Sequence, residues 1–293
     1  MSNNYLPTLQ LDIDPLQLVK ENVKLTSLPT IVFKIDKAIN SPYTTNHDIA
    51  KIISGDPDLA ARILRISNSA FLGYPTRIET VSQAVSVVGT QQLRDLIFAS
   101  TVTTLFKKIP ENTLTMESFW QHSIACGIVA RLLAEVASYK NTERFFVTGL
   151  LHDIGRLLLL IAMPDVMQIV FKISELEERC LFDVEEEVMG FNHALVGGLL
   201  LREWQLPNRL CDAVCYHHAP NQAGQHRVDA SLIHVSDIIV TGIGYGSSGE
   251  KYVPPLDDDV WQALSLSHLS LSELLETLDH QFKEAVSFVL DID

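Results

Sequence analysis

The sequence predicts an all-α fold, a multi-helix bundle with an N-terminal helical subdomain, and three observations carry that prediction. Apolar residues recur at three- and four-residue steps along most of the chain, the spacing that lines one face of a helix. No stretch alternates apolar and polar residues for long enough to read as a half-buried strand. The chain has 293 residues and is 47% hydrophobic, enough to bury one large core or two smaller ones.

Taken in order, the first third reads as about five helices. Leu28, Ile31, Val32, Ile35 and Ile39 form one stripe, behind a Thr26-Ser27 cap region and with Pro29 near the first turn. Asp56-Pro57 starts another helix, with Leu59, Ile63 and Ile66 on one face. Val81, Ala84, Val85 and Val88 make a further stripe closed by Gly89, and Thr90 is expected to cap a segment bearing Leu93, Leu96 and Ile97. The pattern breaks at Lys107–Asn112, polar and interrupted by Pro110. That break divides an N-terminal subdomain, 1–112, from a second helical subdomain, 113–245. In the second, helices are expected at Met116–Ser138, Glu143–His152, Val166–Cys180, Asn192–Trp204, Pro207–His218 and Asp229–Thr241, with Gly155 interrupting the helical pattern after His152. Gly242–Pro255 reads as a loop. Residues 246–293 complete the chain as loop and two amphipathic helices packing on the bundle, with Leu271, Leu274, Leu275 and Leu278 facing inward.

Charge and composition exclude several function classes. A formal net charge of −14 repels a polyanion over most of the surface, so a nucleic-acid polymer is not expected as partner. A small phosphorylated ligand held by metal or by a local cluster stays open. The N-terminus lacks a basic stretch followed by an apolar core, so no secretion signal is read. The longest apolar run, Leu157–Met163, falls short of the roughly 20 residues that span a bilayer, and no membrane association is expected. Four cysteines outside any dense framework fit a reducing cytoplasm.

The second subdomain concentrates imidazoles and carboxylates: His122, the pair His152-Asp153, His193, the pair His217-His218, and Asp237. Neutral imidazole nitrogen and carboxylate oxygen hold borderline divalent ions such as Fe, Mn, Zn or Ni. The two histidines before Pro220 extend different stripes of their helix, which directs them towards two separate ion positions. Each residue also has a plain structural alternative. His122 would be a half-buried, hydrogen-bonded histidine; Asp153 would serve a helix end; His193 would sit in a first turn. His217 and His218 would suit the dipole of a helix C-terminus, and Asp237 would pair with His234 one turn earlier. Seven such residues on five predicted helices, flanked by leucines, valines and small residues, point to one divalent metal pocket for one or two ions. Cys211 and Cys215 read as buried thiols, and Glu185-Glu186-Glu187 as a solvated helix start.

The series His122, His152-Asp153, His193, His217-His218, Asp237 resembles the ligand series of HD-superfamily phosphohydrolases. The region from about Leu25 to Val240 resembles an HDOD domain, on the words SLPTIVFKI, SGDPDLAARILRISNSAFLGYPTRIETVSQAVSVVGTQQLRDL, FWQHS, GLLHDIGRLLL, FNHALVGGLLLREWQLP and AVCYHHAP. The resemblance implies an HD-domain-like helical bundle and those seven residues as metal ligands. It implies Asp153 as a catalytic ligand and Arg156, one turn after His152, as a cation for a phosphate. HDOD domains are signalling output modules, so a regulatory protein is implied, acting on a signalling partner or a nucleotide-like ligand sensed through the groove between subdomains. The alternative is an active metal-dependent phosphohydrolase on a small phosphoester, and a third reading keeps the fold with an empty pocket. After His217-His218-Ala219-Pro220 the chain runs into NQAGQHR, without the Glu and the Asp-Gly-x-Gly-Tyr-Pro segment of the HD-GYP branch. Hydrolysis of cyclic di-GMP is therefore not implied. Asn68-Ser69-Ala70-Phe71 and Arg77 also match the family's words, and would position the two subdomains or form a partner surface.

Overall fold

In this computed structural model the described residues are 13–23, 28–69, 72, 74–106, 114–266 and 270–290. Among them every regular element is helical, as the apolar periodicity requires. The N-terminal part comprises α1 (Pro15–Asn22), α2 (Thr30–Ile39), α3 (Asn46–Ser54), α4 (Pro57–Ser67), α5 (Val81–Val88) and α6 (Thr90–Leu105). α3 packs on α2, α4 and α5, and α6 closes the group against the same three helices. Helix starts are set by side-chain caps. Asp56 Oδ1 accepts from the Leu59 N–H at 3.1 Å, and Thr80 with Gln83 forms a reciprocal cap at the start of α5.

Several expectations are corrected here. Pro29 occupies the cap position of α2 rather than its first turn. Thr90 is the first residue of α6 and caps nothing; the preceding Gly89, at φ 87°, makes the sharp entry that only glycine adopts freely. Six helices, not about five, precede the polar break, because α1 and α3 are too short to announce themselves by periodicity. The Thr26-Ser27 cap region, the Lys107–Asn112 break, and Ala70 and Phe71 lie outside the described residues. Asn68 fastens α4 to the segment entering α5: its amide donates to the Ile78 carbonyl at 2.7 Å and its carbonyl accepts from the Ile78 N–H at 2.7 Å.

The second part is built on α7 (Met116–Val136), α8 (Glu143–Leu151), α9 (Ile154–Ala162), α10 (Pro164–Glu177), α11 (Leu181–Met189), α12 (His193–Glu203), α13 (Asn208–Cys215) and α14 (Arg227–Ile243). α15 (Asp258–Ala263) packs on α14, and α16 (Leu271–Leu290) lies across α7, α6 and α4. Leu274 and Leu278 of α16 are buried as expected, but Leu271 is 50% exposed at the helix start. The chain does not break at Gly155. It turns at His152-Asp153, and Gly155 lies inside α9. A Cβ at Gly155 would overlap the His193 carbonyl and the Gly197 backbone, so this glycine is what lets α9 and α12 touch backbone to backbone. Gly149 does the same for α8 against Gly127 of α7. These close approaches bring the ends of α8, α9 and α12 together with α7.

Residues Glu143–Ala162, the span of α8 and α9, are long and apolar enough to cross a membrane by length and composition, but 83% of that window is buried inside the fold. The apolar surface that suggests a bilayer is here the core itself.

Candidate metal centre

The seven singled-out side chains converge. His122 reaches inward from the middle of α7, where it is 1% exposed. His152 and Asp153 form the turn between α8 and α9, and are 0% and 2% exposed. His193 is the first residue of α12, positioned because the Asn192 side chain caps the Leu195 N–H at 3.2 Å. Asp237 points inward from α14. His217 and His218 differ from expectation. α13 ends at Cys215, so both histidines project from the turn beyond it, with their rings 4.0 Å apart rather than directed to separate places.

Two carboxylates organise the imidazoles. Asp153 Oδ1 lies 2.8 Å from His193 Nε2 and 3.9 Å from His217 Nε2, while its Oδ2 lies 3.2 Å from His152 Nε2 and 3.8 Å from His122 Nε2. Asp237 Oδ1 sits 3.2 Å from His122 Nε2 and 3.7 Å from His152 Nε2. His218 Nε2 approaches His193 Nε2 at 3.1 Å, and the His218 ring stacks on Phe182 at 4.2 Å. Backbone carbonyls fix two of the rings: His152 Nδ1 donates to Gly149 O and His217 Nδ1 to Val214 O, each at 2.7 Å. Such contacts set the tautomer and leave Nε2 for the centre.

The donor set suits a divalent ion. Ligand atoms of His122, Cys126, His152 and Asp237 all lie within 4.8 Å of one another, as do those of His152, Asp153 and His217, and those of His193, His217 and His218. Nε2 of His152 and of His217 is buried and makes no directed hydrogen bond, although carboxylate oxygens stand near both. Buried polar nitrogens without partners are costly, and an ion among these groups would satisfy them. Cys126 is a poorer donor. Burial, with Asp237 and Asp153 nearby, pushes its thiol well above the usual range, so it stays protonated.

Charge is strongly partitioned. Burial opposes ionisation of Asp153, but Arg156, His152 and His193 outweigh it and hold the carboxyl well below its usual range. Asp237 is likewise held low, against burial, by His122 and His152. Burial disfavours a charged His152, yet Asp153 and Asp237 raise it to about 10. Burial and the neighbouring His152 and His193 drive His217 down to about 3, and burial, His217 and His193 keep His218 neutral too. The centre therefore combines two carboxylates, two neutral imidazoles and a protonated His152.

Two further residues belong to this centre. Glu185 is fully buried; its Oε2 accepts from His193 Nδ1 at 2.6 Å and from the His193 N–H at 2.8 Å. The expectation of a solvated Glu185-Glu186-Glu187 run is thus corrected: only Glu186 and Glu187 are exposed, and the run lies in the second half of α11. The signal was present, since Leu181, Val184, Glu185 and Val188 share the buried stripe of that helix. Arg156 is 1% exposed and its guanidinium is enclosed by protein. It donates to Asp153 Oδ2 at 3.2 Å, Glu185 Oε1 at 3.4 Å, Ser248 Oγ at 2.6 Å, Ser248 O at 3.2 Å, and the His193 ring at 2.9 Å. As placed here, its donors address the protein's own groups. Cys211 and Cys215 are buried free thiols as expected, and burial raises Cys211 to about 12.

Comparison with known proteins agrees with this architecture. The HDOD domain profile matches residues 25–220. An HDOD domain protein of Geobacter sulfurreducens has a similar crystal structure, with TM-score 0.72 and 25% identity, covering 95% of this chain and 98% of that one. A candidate phosphohydrolase from Shewanella amazonensis superposes with TM-score 0.71 at 24% identity, covering 94% and 98% of the two chains. A protein of Treponema pallidum is 26% identical over 198 residues, which span 66% of this chain but 37% of that longer relative.

Proposed function

The chain belongs to the HDOD family, and from that premise we propose that it is a regulatory protein. In this reading its second subdomain binds a divalent metal ion, and its output is contact with a signalling partner or a nucleotide-like ligand. The observation that supports this most is the meeting of His122, His152, Asp153, His193, His217, His218 and Asp237 from separate segments, with two buried Nε2 atoms lacking directed hydrogen bonds. His122, His152, Asp153 and Asp237 would hold an ion on the α7–α14 side, with His217 beside Asp153. Such an ion polarises phosphoryl oxygens and lowers the pKa of bound water. The protein's own part is to keep both carboxylates ionised, to fix the ring tautomers, and to shield the group from solvent. That shielding favours a regulatory centre over a catalytic one. His152, His193 and His217 are 0% exposed, and a phosphoester must displace protein to reach them.

Metal analysis of protein purified without chelator tests this reading. It expects about one ion per chain, lost in Asp153→Ala, because a formed His/Asp site retains ions. Metal near zero in a folded wild type refutes it. The phosphohydrolase reading draws support from the ionised Asp153 among histidines. It requires turnover in a phosphomonoester and phosphodiester screen with Mn or Fe, abolished by Asp153→Ala with helicity intact.

A further inference from the structure

Away from the histidine cluster, the α5–α6 junction faces the beginnings of α8, α13 and α14 across a cavity of about 520 Å3. That is the size range of small-ligand sites. Arg94 of α6, Arg144 of α8 and Arg209 of α13 line it. Asp229 of α14 is shared between two of these: its Oδ1 accepts from Arg209 Nε at 2.6 Å and from Arg144 Nε at 3.4 Å. One carboxylate thus holds two guanidiniums, leaving positive charge over at that wall. Arg94 is turned towards its neighbour Asp95, at 2.8 Å.

The backbone adds to this field. α6, α8 and α13 all begin at the cavity, and none has a side-chain cap. Their first N–H groups and positive dipole ends face the space the arginines enclose. Gln92 also lines the cavity, and its buried Nε2 has no partner. Val88, Pro207 and Leu210 supply an apolar wall. Guanidinium forks, open helix starts, an unused amide donor and an apolar wall together match a phosphate attached to a flat organic group.

We propose that this cavity between the two helical groups binds a small phosphorylated ligand of mononucleotide size, through Arg144, Arg209 and the open starts of α6, α8 and α13. The proposal rests on the regulatory reading for its purpose, and it names the ligand class that reading leaves open. It also supplies a route between the sites. α8 begins at the cavity and delivers His152 at its other end; α13 begins there and leads to His217 and His218. On α14, Asp229 faces the cavity and Asp237 faces the centre, roughly 12 Å further along the helix at 1.5 Å per residue. A ligand that draws these helix starts together shifts the groups that hold the metal.

Isothermal titration of the full chain with inorganic phosphate, pyrophosphate and GMP tests the site. Saturable GMP binding is expected, weakened at least about tenfold in Arg209→Gln. The Arg209 side chain is 47% exposed, so the melting temperature should hold in that variant. Arg144→Gln should weaken binding in the same direction. No saturable binding of any of the three probes overturns the proposal. So does binding unchanged in both arginine variants, or binding lost in Asp153→Asn but kept in Arg209→Gln, which would place the phosphate at the histidine cluster. Metal content measured on the same samples keeps the two readings apart. Metal retained without phosphate binding refutes only the cavity, and phosphate binding without metal refutes only the centre.

Discussion

Replacing Arg156 with Met asks whether the guanidinium acts as the built-in cation of the buried centre. The wild-type group is 1% exposed and bonded to Asp153, Glu185, Ser248 and His193. Methionine fills much of the volume but removes the charge, leaving two buried carboxylates without their shared partner and the Ser248 acceptors unmet. Removing one side of a buried ion pair costs about 3–5 kcal/mol, because the remaining charge stays desolvated. For a chain of this size, at about 2 °C per kcal/mol, the melting temperature should fall by roughly 6–10 °C. The assay is thermal unfolding in chelator, followed by circular dichroism. Added Mn2+ should then stabilise the variant more than the wild type, since the vacated space presents Asp153, Glu185 and His193 to a cation. A fall under about 2 °C, or equal stabilisation of both proteins by Mn2+, would refute the assignment of Arg156 as that internal cation.

Other expectations follow from the same geometry. Glu185→Gln keeps the shape but weakens the grip on His193 Nδ1; metal affinity measured by competition with a chromophoric chelator should fall about 10–100-fold, and an unchanged affinity would leave Glu185 a packing residue. Gly155→Ala places a Cβ against the backbone of His193 and Gly197, so α9 and α12 must part; urea unfolding should show a loss of at least about 1–3 kcal/mol. A divalent ion must displace the proton of His152, which titrates near about 10. Affinity should therefore rise up to about tenfold per pH unit between pH 7 and 9, with about one proton released per ion, as read by titration calorimetry in buffers of different ionisation enthalpy; a flat profile removes His152 from the ligands. In chelator, the raised His152 contributes stability that is complete below its unfolded value of about 6.5 and is lost as pH climbs towards about 10. His217, lowered to about 3, has the opposite sign, its contribution being lost as pH falls from about 6.5. The melting temperature of the metal-free protein should thus peak near pH 6.5, and a monotonic profile would contradict both assignments.

The convergence of the histidines was legible because its signals are local: each imidazole or carboxylate sits at a helix start, a helix end or a turn flanked by apolar residues. Asn192 before His193 is a capping residue, and it places that histidine where the sequence reading put it. What failed were features decided by a partner far along the chain. His217 and His218 read as the end of a helix, but α13 stops at Cys215 so that both rings can turn inward. Glu185 looked solvated because two more glutamates follow it, although its own position falls on the apolar stripe of α11. Thr90 looked like a cap because threonine commonly is one, whereas Gly89 already makes the turn.

Arg156 shows most clearly why a local reading reaches only part of the way. Its spacing from His152 puts it beside the centre, and that much is helix geometry. Whether it faces a ligand or the protein depends on Glu185, 29 residues on, and on Ser248, 92 residues on. Those two partners turn a group that could meet an incoming phosphate into one whose charge is already balanced internally. The same logic separates the two sites on this molecule. At the histidine cluster the one guanidinium is shared by two carboxylates, whereas at the cavity one carboxylate, Asp229, is shared by two guanidiniums. The first arrangement calls for a further cation and the second for a further anion, so a metal ion and a phosphate have complementary places at opposite ends of α8 and α13.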